Sequence, residues 1–270
     1  MAFTKPKFME TEEFRDLSIA AVVLAFGFSI IYPGAPTLGS WFSHFLLGLV
    51  LVAFSVFVHE IAHRYVAYRL QAKVHSKVWP AGIAATLITS LLTGGWFVFA
   101  APWAVSITPW YSVRPGQAYA KAHLGPHDAA LIAVSGSLAN FGLAIVAKML
   151  SAPLGLIAKE LISINVALAA FNLFPFFTFF PIVFARLTPF LGERLRATPY
   201  VEGEFVFFGS RPLWIFTFAF VVIGGLGLMF MSLLASLMLA LVLTIVISIA
   251  WFYFLEGAAP YEMLKKETFK

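Results

Sequence analysis

The sequence predicts an all-α polytopic membrane protein. It has six transmembrane helices and one re-entrant or membrane-embedded segment, irregular or β, at about residues 79–105. Three observations carry this reading. Of 270 residues, 61% are hydrophobic and 11% are charged, against about 45–50% and about 25% in an ordinary soluble domain. The apolar residues gather into runs near or above the roughly 20 residues that cross a bilayer. Lys and Arg lie almost entirely between those runs, where they set orientation.

The runs follow in order. Residues 17–32 form a short first span, leading into an uncharged linker up to 41. Glu10, Glu12, Glu13 and Asp16 precede it and no cleavage site follows, so it does not read as a signal peptide. Residues 42–58 are apolar and the helical pattern continues to about 70. Residues 79–105 are apolar but interrupted by Pro80, Gly82, Gly94, Gly95 and Pro102. Residues 129–150 make an uninterrupted span. Residues 154–184 are long and hold Lys159, Glu160, Asn165 and Asn172. Residues 213–255 are about twice one span, so they divide into two helices with a tight turn near Met231 and Ser232. No repeat and no low-complexity linker separates these runs. Residues 1–270 therefore read as one membrane domain: a first span and linker (17–41), a core (42–212), two C-terminal spans (213–255) and a tail (256–270).

Charge then fixes the broken segment. The N-terminus, 64–77, 106–127, 184–212 and the C-terminal tail are all basic. If 79–105 crossed once, the four Arg of 184–212 would lie outside. If it enters and leaves on one face, all these segments are cytoplasmic and only Lys148 and Lys159 fall elsewhere. Both termini are then cytoplasmic, and the protein is a multi-pass protein of the cell membrane. Broken backbone at membrane depth must be surrounded by protein or line a water-filled cavity. The net charge of +5 comes from only 18 Lys and Arg, scattered along the chain, which excludes a nucleic-acid binder. The absence of cysteine excludes disulfides, thiolate metal sites and a cysteine nucleophile.

Chemistry concentrates in Val58-His59-Glu60-Ile61-Ala62-His63. Ionisable residues inside a membrane helix are costly and mark function by default. His59 and His63, at i and i+4, project from one helical face and suit two ligands of one zinc ion. Glu60 is placed to act as general base towards the attacking water. The plain alternative is polar packing with Glu60 paired to Arg64. Zinc wants a third protein ligand. His44 lies about four turns from His59 and cannot join the pair. His75, His123, His127, Asp128, Glu193, Glu202 and Glu204 stay open. Glu160, on the external side, fits least.

Phe57-Val58-His59-Glu60-Ile61-Ala62-His63-Arg64 resembles the active-site helix of the site-2 protease family of intramembrane zinc metalloproteases. Three further stretches agree in order. Ala101-Pro102-Trp103-Ala104-Val105 resembles an Ala-Pro-Gly-Ala-Val stretch of archaeal members. Ser135-Gly136-Ser137-Leu138-Ala139-Asn140 resembles the family's Ala-Gly-Pro-x-x-Asn. Asn172-Leu173-Phe174-Pro175 resembles the start of Asn-x-x-Pro-x-x-x-x-Asp-Gly. The Asp of that last motif is the family's third zinc ligand, and here Phe180 stands in its place. Either an insertion separates the motif's halves and Pro199-Tyr200-Val201-Glu202-Gly203 supplies Glu202, or the third ligand is lost. Trp103 in place of Gly and Ser137 in place of Pro are further departures.

The resemblance implies a zinc metalloendopeptidase that cleaves transmembrane segments of other membrane proteins, with Zn²⁺ held by His59, His63 and Glu202. It places Glu60 and Asn140 at the chemistry, Asn140 as a donor to the transition-state oxyanion. It also places Asn172 and Pro175 at the substrate, with an edge strand in 79–105 pairing an extended substrate segment. Two other classes stay open: a catalytically inactive relative that binds or regulates membrane proteins, and a membrane transporter. Against the transporter, the titratable cluster lies on one helix and no inverted repeat is evident.

Overall fold

Glu10 and Glu13 open the first helix with a capping box, each side chain meeting the other's backbone. The computed structural model describes residues 9–30, 37–109, 124–176 and 201–256. Helix α1 (Thr11–Ser29) buries Leu17, Ala20, Ala21, Leu24 and Ala25 at helical spacing against α2 and α3. Helix α2 (Leu38–Arg69) begins at Thr37, whose side chain accepts from the N–H of Ser40 at 3.2 Å. Its buried stripe runs Gly48, Leu51, Val52, Ser55, Val56, His59, Glu60, His63 and Ala67. The histidines therefore continue the packing stripe, and burying that stripe carries them inward.

Strand β1 (Ala72–Val78) pairs antiparallel with β2 (Trp103–Pro109), from Ala72 opposite Pro109 to Val78 opposite Trp103. Between them lies α3 (Pro80–Leu92), with Pro80 at its first turn. Gly94 and Gly95, at φ of 61° and 81°, reverse the chain in the left-handed region that glycine tolerates. The N–H of Trp79 donates to Pro102 O at 2.9 Å, so the excursion ends where it began. The chain thus leaves and returns at one end of the two-stranded sheet. The interior of the excursion, expected to be irregular or β, is half helix, and the strands extend to either side of it. The stretch read as a basic loop, 72–77, is a strand because Ala72, Val74 and Ser76 alternate inward.

Helix α4 (Pro126–Met149) is followed by the single turn α5 (Ser151–Leu154) and by α6 (Leu156–Leu173), which stops before Pro175. Helices α7 (Glu202–Gly209), α8 (Arg211–Phe230) and α9 (Leu233–Trp251) follow, and a π-helical turn (Phe252–Glu256) extends α9. The break between α8 and α9 falls at Met231, with Ser232 capping α9. Gly225 meets Val166 of α6, and Gly227 meets Ser236 of α9, with no room for a Cβ.

Among the described residues, five helices are long and apolar enough to cross a membrane: α2, α4, α6, α8 and α9 with its extension. The sixth expected span is α1, which is not one of them. Glu12, Glu13, Arg15 and Asp16 occupy its first turns. Two of these acids serve β1: Glu13 accepts from Ser76 N at 2.8 Å and Asp16 from Val78 N at 3.2 Å. The architecture is all-α and polytopic, with one small sheet among the described residues.

Candidate metal centre

The donors of the centre come from two chain segments. Helix α2 supplies His59 and His63, stacked edge to face with ring centroids 4.5 Å apart. The start of α7 supplies Glu202. Its Oε1 lies 2.8 Å from His59 Nε2 and 3.0 Å from His63 Nε2. The two Nε2 atoms are 2.9 Å apart. All three residues are buried, at 0%, 0% and 2% exposure. Glu202 is held in place through Gly203, where a Cβ would strike the backbone of Leu173 and Phe174 at the end of α6. The Asn172–Pro175 turn and the Glu202–Gly203 pair, far apart in sequence, thus meet.

Helix α4 supplies the surroundings. Ile132 O accepts from His63 Nδ1 at 2.7 Å, which leaves the Nε2 lone pair facing the other two donors. Asn140 Nδ2 is 3.1 Å from His59 Nδ1. Ser137 Oγ donates to Glu202 Oε2 at 3.2 Å. Gly136 faces the rings, and a Cβ there would lie 2.6 Å from His59 Nε2. From strand β2, Trp103 meets the His59 ring edge-on, centroids 5.6 Å apart, and is 1% exposed.

These residues fit a metal ion. Two imidazole nitrogens and one carboxylate oxygen, all within 4.8 Å of one another, converge in a buried space. Two neutral imidazoles and a carboxylate form a zinc ligand set.

Glu60 points to a different set of partners. Its carboxylate forms an ion pair with Arg64 and accepts from Ser76 Oγ at 2.8 and 2.9 Å. Arg64 also reaches Glu13 at 2.5 Å. The Glu60–Arg64 pairing is therefore present alongside the clustered histidines. Sequence reading did not reach Glu13 and Ser76, because both act across tertiary contacts.

The other candidates are accounted for. Asn172 is 1% exposed, and its Nδ2 has no partner among the described residues. Pro175 follows the end of α6. His44 lies 3.6 Å from Glu160, and His75 lies 3.9 Å from Glu13. Asp128 accepts from Gly125 N at 3.2 Å as the cap of α4, with His127 beside it in the first turn. Glu204 is buried in α7 but does not belong to the donor group. His123, Phe180 and Glu193 lie outside the described residues.

No family model matches the chain, and no solved structure gives a significant match. A protein of Methanocaldococcus jannaschii carrying the name "Putative zinc metalloprotease MJ0611" is 30% identical over 196 residues, covering 70% of this chain and 86% of the relative. With that extent of likeness, and a buried His-His-Glu donor group at its centre, the chain belongs to the zinc metalloprotease family of which the archaeal protein is a member.

Proposed function

We propose that the chain is an intramembrane metalloprotease of the site-2 type, which hydrolyses peptide bonds in transmembrane segments of other membrane proteins. One observation carries the reading. The two histidine donors belong to a helix long and apolar enough to cross a membrane, and α4, which packs over them, is another. The presence of Glu202 beside them supports an active enzyme over an inactive relative.

Bound zinc would lower the pKa of the attacking water and polarise the scissile carbonyl. His59, His63 and Glu202 would hold it. Glu60 would serve as the general base and then return the proton to the leaving amine, with Ser76 and Arg64 holding its carboxylate. A membrane helix resists hydrolysis because its amides are already bonded within the helix. The substrate must therefore be held extended. The Ser76 and Val78 N–H groups of β1 are taken by Glu13 and Asp16, which leaves β2 as the strand an extended segment would join. Asn172 and Pro175, where α6 ends, would line its path. The basic segments support a cell-membrane protein with both termini in the cytoplasm.

The test is proteolysis by the purified chain in lipid vesicles, using a single-span membrane protein as substrate. Mass spectrometry should find cleavage within the apolar stretch, abolished by a zinc chelator and restored by zinc. Cleavage confined to polar flanks, or insensitive to chelation, would overturn the proposal.

A further inference from the structure

Buried serine and threonine hydroxyls in this protein usually turn back on their own helix. Ser55 donates to Leu51 O, Ser90 to Thr86 O, Thr217 to Leu213 O and Ser236 to Ser232 O, at 2.6–2.8 Å. Ser137 is as deeply buried, at 0% exposure. Its Oγ instead donates to Glu202 Oε2, which lies 65 residues on in another helix. The two carboxylate oxygens of Glu202 are thereby divided. Oε1 faces His59 and His63, and Oε2 faces Ser137.

The division coincides with two departures from the site-2 motifs. Ser137 stands where those motifs have proline, which offers no side-chain donor. Glu202 stands where the insertion reading puts the motif's aspartate. A glutamate has one more rotatable bond than an aspartate, so its carboxylate needs an added restraint to present one oxygen reliably.

We infer that Ser137 is a positioning residue for the metal centre: its hydroxyl anchors Oε2 of Glu202, so that the longer glutamate presents Oε1 alone beside the two histidines. The inference rests on the metalloprotease reading and adds to it a coupled pair, serine with glutamate. Ser137 touches neither substrate nor reacting atoms in this role. It acts through Glu202.

The experiment is a zinc competition titration on the full chain in detergent, using chromophoric chelators of graded affinity. Ser137→Ala removes one oxygen, and its zinc affinity should fall about 10–100-fold, the usual cost of losing such an outer contact. Ser137→Gly, a second variant lacking the same hydroxyl, should fall alike. Glu202→Asp withdraws the carboxylate from Ser137, so in that background Ser137→Ala should change affinity by less than about twofold. An unchanged affinity in both serine variants would overturn the inference alone. So would an equal loss with and without the Glu202→Asp change, since Ser137 would then act on the fold and not through the carboxylate. If the unaltered chain binds no zinc, the metalloprotease reading fails and the inference fails with it.

Discussion

Asn140 Nδ2 lies 3.1 Å from His59 Nδ1, while Oδ1 of the same amide is buried without a partner among the described residues. With the amide turned by half a rotation, Oδ1 accepts from His59 Nδ1–H, and His59 Nε2 is left as a lone pair towards His63 and Glu202. This role differs from oxyanion donation, and the two separate in experiment. A residue that only stabilises the oxyanion lowers kcat by about 10²–10³ and leaves metal affinity alone. Asn140→Ala is expected to weaken zinc binding by about 10-fold or more in addition. A titration showing wild-type zinc affinity with depressed kcat would return Asn140 to the substrate side.

Gly136 is the point at which α4 approaches the imidazoles. A methyl group there would lie 2.6 Å from His59 Nε2, well inside contact distance. Gly136→Ala is therefore expected to push the buried imidazoles out of place, at a cost of about 1–3 kcal/mol in stability, and to lower zinc content to a small fraction of one per chain. Plasma mass spectrometry after gel filtration reads this directly. Full zinc occupancy in the variant would mean that the rings do not face Gly136 when metal is bound.

The parts legible in the sequence are those set by neighbours along the chain. His59 and His63 are one turn apart, so their common face follows from helix geometry. Met231 and Ser232 part α8 from α9 because a run of two span lengths must turn and Ser232 can cap. Gly94 and Gly95 turn the chain back within the broken run, where left-handed backbone is needed. The parts less legible depend on contacts between distant segments. Glu202 is one of several open acids in the sequence, singled out only by a motif resemblance interrupted by an insertion, and its contact with His59 spans 143 residues. Lys73, His75 and Lys77 make β1 look like a solvated loop, although Ala72, Val74 and Ser76 face inward. The acids of α1 look like a charged flank until Ser76 N and Val78 N are seen to need acceptors. Ser137 looks like a lost proline until Glu202 is placed beside it.

Glu60 sits outside the three-donor group but in the same stripe of α2. Glu60→Gln keeps the shape of the side chain and removes its capacity to take a proton. Peptide hydrolysis is expected to fall by at least about 10²-fold, the lower end for general base catalysis, while zinc content stays at the wild-type level. Single-turnover cleavage together with metal analysis on the same preparation gives both numbers. Residual cleavage within a few-fold of wild type would assign proton transfer to another group.

Arg64 joins two buried acids. Its guanidinium meets Glu13 of α1 at 2.5 Å and pairs with Glu60, the three side chains being 10%, 4% and 1% exposed. Removing one member of a buried ionic group leaves the others uncompensated and costs about 3–5 kcal/mol. Arg64→Met keeps the apolar stem while deleting the charge, so its effect reports the ion pairs and not lost packing. It is expected to destabilise the protein by about that amount in a reversible unfolding titration in mixed micelles. Glu13→Gln removes the charge but keeps an oxygen that can accept from Ser76 N, and it should cost less. The order matters because α1 is fastened to β1 through Glu13 and Asp16, and the excursion carrying α3 begins where β1 ends. If Arg64→Met lost less than about 1 kcal/mol, water would be screening the pair as it does at a surface, and α1 would be held by packing alone.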